Sequence, residues 1–324
     1  MVPTGPTGLI NVFRKMNKYL LGVGLASLLL TACTNGEQLD NPSRGTITVA
    51  ADESFRPLVT QLTEAYAGIY PNVKFNVLFK PEQEAINLML QDSARIVFTT
   101  RTLKPNEQAV LTKLKIPGNA TRIATDGVAL IINRVNTDSL ITMNELTGIF
   151  SGQNTQWEQL KGGNRKGPIT LVFDNNNSSN LDFILKKFNV TDMSKLRIFA
   201  TKSNREAIEF VKENPSALGF IGVNWISDND EPLTAELSRN LRVMGVSDKP
   251  NPISRDDYYQ PFQRALGLED YPLRRPVYIL SRETHPGLGE GLTNYVARDA
   301  GALIIEKLGL WPTIPYNREV NITK

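Results

Sequence analysis

The stretch Ile169–Leu185, ITLVFDNNNSSNLDFIL, decides how the chain is read. An apolar strand run breaks at Asp174 into polar residues, and an amphipathic segment follows at once. Asn177, Ser178 and Ser179 are good helix N-cap residues. The first turn of a helix presents unpaired backbone N–H groups with a partial positive charge, so the junction suits a small anion. An ordinary strand-turn-helix connection, its cap satisfied internally, is the other reading and stays open at this point. The run also resembles the start of a calcium loop. Ser179 stands where that loop requires glycine and Leu185 where it requires glutamate, so the calcium reading is rejected.

The same alternation runs through the rest of the chain. Thr46–Ala50 reads as a strand, Phe55–Tyr66 as a helix, Val73–Phe79 as a strand and Glu82–Leu90 as a helix. Ala94–Phe98 and Pro105–Leu114 continue the series. A second set starts at Asp126-Gly127 with the strand GVALIIN. It continues with a helix over Met143–Phe150 capped by Thr142, the junction itself, a strand at Leu196–Phe199, a helix at Ser203–Lys212 and a strand at Leu218–Val223. Ser227–Asp270 is irregular, Pro276–Ser281 recovers a strand, Leu292–Leu308 supplies helices and Trp311-Pro312 begins a tail. Strands alternating with helices predict βαβ units and mainly parallel sheets. The expected fold is α/β and two-lobed. Residues 45–125 and 271–324 form lobe 1, and residues 126–270, with the return connection, form lobe 2 inserted into it.

The N-terminus reads as an export signal. From Met16, a basic start at Lys18 leads into LLGVGLASLLL and then Leu30-Thr31-Ala32-Cys33, a tetrapeptide that resembles a bacterial lipobox. The apolar run is short for a spanning helix. Residues 1–32 are therefore expected to be a lipoprotein signal peptide, Cys33 the lipidated residue and 33–44 a tether. Attachment to a bacterial membrane through that lipid, facing the periplasm or the cell surface, follows. Cys33 is the sole cysteine, which excludes an intramolecular disulfide and a cysteine metal cluster. Of the 36 basic residues, Arg14, Lys15 and Lys18 precede Cys33, as does none of the 33 acidic ones, so the remainder is balanced and no nucleic-acid partner is indicated.

No G-x-S-x-G, H-E-x-x-H, Walker A or C-x-x-C motif is present. The only histidine, His285, precedes Pro286-Gly287 and reads as a loop residue. The run Gly287-Leu288-Gly289-Glu290-Gly291 reads as a turn. No catalysis, metal or cofactor is expected. Three polar segments follow strands instead: Glu53-Ser54-Phe55, Thr99-Thr100-Arg101 and Asp174–Asn180. Hydroxyls and amides donate to an oxyanion without adding charge, and Arg101 adds a planar fork. In open α/β sheets ligands bind beyond the strand C-termini, where these segments would converge.

Ser54-Phe55-Arg56-Pro57-Leu58, the run Ser93–Leu103 (SARIVFTTRTL), Asp126-Gly127-Val128-Ala129, Leu146–Ser151 with Trp157, Ala217–Gly222 (ALGFIG) and Tyr271-Pro272 through Ile279 together resemble the PstS family of phosphate-binding proteins of ABC importers, within the periplasmic solute-binding superfamily. The resemblance covers most of Gly45–Thr313. It implies a type II binding-protein fold and a hinge that closes two lobes over phosphate or a related oxyanion. It also implies delivery to an ABC permease in the inner membrane, with a monomer expected. The family's R-x-D-G-S-G-T signature falls on Asp174–Asn180, where Ser178 keeps the serine. Asp174 stands at the arginine, Asn176 at the aspartate, Asn177 and Ser179 at the glycines and Asn180 at the threonine. A carboxylate about 4 Å from a unit anion costs roughly 4 kcal/mol at an effective dielectric near 20. Asp174 is therefore expected to point away or to accept a proton from the ligand, which would select protonated oxyanions. The expected ligand contacts are Ser54, Phe55, Thr99, Thr100, Arg101, Asp174, Asn177, Ser178, Ser179 and Asn180, with Arg101 the charge partner. An envelope interaction, sensing or scaffold protein that keeps the fold without the anion site is the second reading, and an enzyme the third.

Overall fold

The computed structural model describes residues 39–162, 164–228 and 239–316. The expected signal peptide, Cys33 and the tether as far as Gln38 lie outside the described residues. The end of the tether is a tight turn in which Asn41 and Arg44 exchange backbone hydrogen bonds of 2.9 and 3.1 Å, with Pro42 O taken by the Tyr66 hydroxyl at 2.6 Å.

The strands run β1 Arg44–Asp52, β2 Asn72–Lys80, β3 Ile96–Thr99, β4 Asn119–Asn133, β5 Leu140–Thr142, β6 Thr170–Phe173, β7 Ile198–Ala200, β8 Ala217–Gly222, β9 Leu241–Val243, β10 Gly245–Ser247, β11 Arg274–Ser281 and β12 Trp311–Pro312. The main sheet has the order β2-β1-β3-β11-β4-β8-β6-β7. It is parallel toward both ends, β1 with β2 and β3, and β6 with β7 and β8. Across its middle, where β11 and β4 lie, it is antiparallel.

β4 joins the two groups of strands. Its first part pairs with β11 as far as Gly127, and from Val128 onward it pairs with β8. Residues Ile123–Asn133 are all buried, as a strand covered on both faces requires. Gly127 sits at the hand-over, where a Cβ would come within 2.7 Å of Pro261 Cβ.

Helices cover the sheet by amphipathic burial. Arg56–Ile69 buries Leu58, Val59, Leu62, Thr63 and Tyr66, one face of a 3.6-residue period, each large apolar side chain contributing about 1.5–3 kcal/mol. Glu82–Leu90 and Met143–Phe150 have the expected bounds. The second is fixed by a capping box, in which Glu145 N–H donates to Thr142 Oγ1 at 3.1 Å and Thr142 N–H to Glu145 Oε2 at 2.8 Å. Asn204–Glu213 starts from Ser203, which accepts from Glu206 N–H.

Several local expectations are corrected. Leu288–Val296 is a helix, not a turn, because the Glu283 carboxylate accepts the Gly289 N–H at 3.0 Å and that of Glu290 as well, satisfying the helix start. Trp311–Pro312 pairs with β4 instead of opening a tail. The strand expected at Asp126-Gly127 begins at Asn119, and Ser227–Asp270 contains β9, β10 and a short helix at Gln263–Gly267.

Candidate functional site

The polar loops gather at the C-terminal ends of the parallel strands, the usual ligand position in such sheets. Asp52, a 3₁₀ turn over Glu53–Phe55, and helix Arg56–Ile69 follow one another at the end of β1. Beyond β2 come Pro81 and Glu82, beyond β3 Thr100 and Arg101, and beyond β6 Asp174–Asn180. Asn204 follows β7, and Asn224 and Trp225 follow β8. Ser178 is the N-cap of helix Ser179–Lys187, accepting from Asn180 and Leu181 N–H. The loops after β1 and β6 touch, with Ser54 Oγ 3.2 Å from Ser179 Oγ although 125 residues separate them. Ser54 O also accepts Asn224 Nδ2–H at 2.9 Å and Trp225 Nε1–H at 3.0 Å.

A buried arginine lies at the centre of this contact. The β4–β11 register sets Arg275 opposite Asp126, and their side chains bond Nε to Oδ2 at 2.9 Å. Only 1% of the Arg275 side chain is exposed and none of Asp126, so neither charge reaches water. The two remaining guanidinium nitrogens donate to Ser179 Oγ at 3.1 Å and Ser54 Oγ at 3.2 Å. The Phe55 ring lies beneath, its centroid 5.4 Å from Arg275 Cζ.

Carboxylates surround this cation. Asp52 accepts the Ser54 N–H at 3.0 Å, the Ser179 hydroxyl at 2.7 Å and the Ser54 hydroxyl. Asp174 accepts from the Ser178 hydroxyl and from Asn180 Nδ2–H at 3.0 Å. Burial, reinforced by the Asp52 charge and opposed by the Ser178 hydroxyl, lifts the Asp174 carboxyl to about 7. Glu53 is bonded by Asn204 Nδ2–H at 2.5 Å, and burial raises its carboxyl as well. Asn204 in turn accepts from Asn180 Nδ2–H at 3.3 Å. Two acceptors at the edge of the cluster, Asn180 Oδ1 and Asn224 Oδ1, are buried without a hydrogen-bond partner.

Arg101 stands at the outer side. Its guanidinium forks onto Glu107 at 2.8 and 2.9 Å, and its Nε lies 3.4 Å from Glu82. Against the push of partial burial, hydrogen bonds from Arg101 and Gln83 hold the Glu107 carboxyl down at about 2. Glu82 also takes Thr100 through its N–H at 2.5 Å and its hydroxyl at 2.7 Å, and burial with the Asp52 charge raises its carboxyl. The Thr99 hydroxyl is spent on Arg101 O at 2.7 Å. Asn177 is exposed, its N–H bonded to Asn175 Oδ1 at 2.7 Å. A groove of about 420 Å³, lined by Glu82, Arg101, Asn177, Ser178, Ser179 and Asp182 among others, leads from solvent to this outer side.

The three expected segments thus meet in one region, but unevenly. Ser54 and Ser179 touch, Phe55 underlies the buried cation, and Asp174, Ser178 and Asn180 bond one another beside it. Thr100 and Arg101 engage carboxylates at the groove, while Thr99 and Asn177 make local bonds only. Sequence reasoning missed Arg275, Asp52, Glu82, Asn204, Asn224 and Trp225 as site residues. Of these residues and their partners only Asp126 carried a signal, as the single ionisable residue in the run Ile123–Asn133. Among the described residues no group of three or more His, Cys, Asp or Glu is arranged to hold a metal ion. No described helix is long and apolar enough to cross a membrane.

Comparison with known proteins gives the same frame. The PBP superfamily domain profile matches residues 36–300. The phosphate-binding protein PstS of Staphylococcus saprophyticus is 22% identical over 295 residues, covering 87% of this chain and 88% of that protein. PstS 2 of Streptococcus pneumoniae is 31% identical over 117 residues, or 36% of this chain and 38% of the relative. Among solved structures, a Clostridium perfringens substrate-binding protein of the phosphate ABC transporter class, with phosphate bound, superimposes with TM-score 0.68 at 18% identity. It covers 83% of this chain and 100% of its own. The ABC-type phosphate transport receptor of Vibrio cholerae gives TM-score 0.60 at 19% identity, with coverage of 82% and 99%.

Proposed function

Since the chain belongs to the PBP superfamily, we propose that it is an extracytoplasmic solute-binding protein that captures phosphate or a related small oxyanion for an ABC importer and catalyses nothing itself. The relatives named for phosphate binding support this reading. The single observation that carries it is the buried guanidinium of Arg275 bonded to one hydroxyl from the loop after β1 and one from the loop after β6. A guanidinium with flanking hydroxyls is a donor set suited to a tetrahedral oxyanion.

The lobes proposed are residues 45–125 with 271–324 and residues 126–270. Ser54, Ser179, Arg275 and Asn180 form the ligand seat between them, and hinge closure brings the two loops together. Arg275 takes the part of charge partner, since all three Arg101 nitrogens face Glu107 or Glu82, whereas beyond its bond to Asp126 two Arg275 nitrogens face the hydroxyls of Ser54 and Ser179. The surplus of carboxylates makes the preferred guest a protonated oxyanion, because an ionised carboxylate only accepts hydrogen bonds. The chain is a monomer tethered to the membrane by lipid on Cys33, and it passes its ligand to a permease in the inner membrane. Thermal unfolding in the presence of phosphate, arsenate and sulfate tests the assignment. Phosphate and arsenate are expected to raise the melting temperature and sulfate to leave it unchanged.

A second reading is favoured by one observation. Ser54, Ser179, Asp52 and Arg275 bond one another directly, as in a cleft already filled by its own side chains. On that reading the protein is an envelope interaction or sensing protein that keeps the fold without the anion site. A melting temperature indifferent to all three anions would favour it.

A further inference from the structure

The seat formed by Arg275, Ser54 and Ser179 already holds an anionic group. Asp52 Oδ1 takes the Ser54 N–H at 3.0 Å, the Ser179 hydroxyl at 2.7 Å and the Ser54 hydroxyl, and Asp52 is only 1% exposed. This is the coordination an oxyanion receives from a loop amide and flanking hydroxyls. A serine hydroxyl has a single proton to give. With both protons directed to Asp52, the hydroxyls offer only lone pairs to their other neighbours. Those lone pairs are what the Arg275 nitrogens meet at 3.1 and 3.2 Å. Both hydroxyl protons and the Ser54 N–H are therefore committed to Asp52, and three of the five guanidinium N–H groups are committed to Asp126, Ser179 and Ser54. Direct contact of the two hydroxyls at 3.2 Å leaves no gap between them.

The bonds also cross the cleft. Asp52 ends β1, Ser179 opens the helix after β6, and Arg275 lies on β11 beside both. A carboxylate that bridges Ser54 to Ser179 holds the two loops together as a bound anion would, with no ligand required.

We propose that Asp52 is an internal competitor for this seat, a tethered carboxylate that occupies the place of the anion, holds the loops after β1 and β6 together, and is displaced when phosphate enters. The proposal rests on reading the cleft as a phosphate site. An internal competitor lowers the apparent affinity for every external anion by the fraction of time it holds the seat.

The test compares wild type with Asp52→Asn, which keeps the size and one acceptor oxygen, and Asp52→Ala, which removes the group. Inorganic phosphate is titrated into each full chain by calorimetry, and amide hydrogen exchange of Ser178–Leu181 is followed without phosphate. Protection of β1 and β6 in the same exchange data shows that each variant is folded. Asp52→Asn is expected to bind phosphate at least tenfold more tightly than wild type, with faster exchange at Ser178–Leu181. Equal or weaker binding by Asp52→Asn overturns the proposal, and phosphate binding by wild type would leave the functional reading standing. If no form binds phosphate while exchange still quickens, Asp52 holds the loops together and the phosphate reading fails. If no form binds and exchange is unchanged, both fail.

Discussion

Arg275 and Asp126 face each other across the β4–β11 ladder, joined at 2.9 Å and sealed from solvent. The two strands meet there because β11 returns from the far end of the chain to lie between β3 and β4. Removing one member of such a pair leaves an unpaired buried charge. Arg275→Ala is expected to cost about 3–5 kcal/mol of stability, read from urea unfolding. The double variant Arg275→Met with Asp126→Leu is expected to cost less than Arg275→Ala alone. Equal losses would show that packing, not charge, dominates the position.

Asp174 makes stability depend on pH. Its carboxyl titrates near 7 in the folded chain, against an ordinary value of 3.8. Between those values the folded state holds a proton that the unfolded state has released. The contribution of this group to stability therefore falls as pH rises from about 4 to 7 and is level above that. The slope is at most about 1.4 kcal/mol per pH unit, that of one proton. Asp174→Asn is expected to remove this component, flattening the profile of unfolding free energy between pH 5 and 7. An unchanged profile would mean that Asp174 titrates as an ordinary carboxyl.

Phosphate affinity should separate the two arginines at the site. Arg275→Lys keeps a charge but loses the fork that reaches both hydroxyls, a loss of about 1.5–3 kcal/mol, or tenfold and more in affinity. Arg101→Ala is expected to change affinity less, because its guanidinium is bonded to Glu107 and Glu82. Calorimetry on both variants checks the order, and the reverse order would return Arg101 to the part of charge partner.

Gly219 on β8 lies where strand and helix come together, and a Cβ there would stand 2.7 Å from Val211 Cγ2 and 2.8 Å from Ile131 Cγ1. Gly219→Ala is expected to cost about 1–3 kcal/mol through overpacking. A neutral result would mean that helix Asn204–Glu213 shifts without penalty.

How much of this was legible depended on how local each determinant is. Thr142 and Glu145 close their capping box three residues apart, so helix Met143–Phe150 was readable to its ends. Ser178 likewise announces the helix after β6. The glycine-rich run after His285 misled because the group that makes it a helix, Glu283, lies outside the run. Arg275 was hidden for a different reason. Its neighbour Arg274 pairs with Glu269 at the surface, and only the register of β11 against β4 decides which of the two points inward. Asp126 is 149 residues away from it. Convergence of the polar loops followed from the rule of strand ends, but which side chain bonds which depends on such distant pairings.

If the cluster of Arg275, Ser54 and Ser179 is the seat of a protonated oxyanion, it must tell phosphate from sulfate. The most direct test is calorimetric titration of the purified protein with inorganic phosphate and with sulfate at pH 8, where phosphate still carries a proton and sulfate carries none. Saturable one-to-one binding of phosphate is expected, with no binding of sulfate at the same concentration and at least tenfold weaker phosphate binding by Arg275→Lys. Absence of phosphate binding, or equal affinity for the two anions, would contradict that assignment.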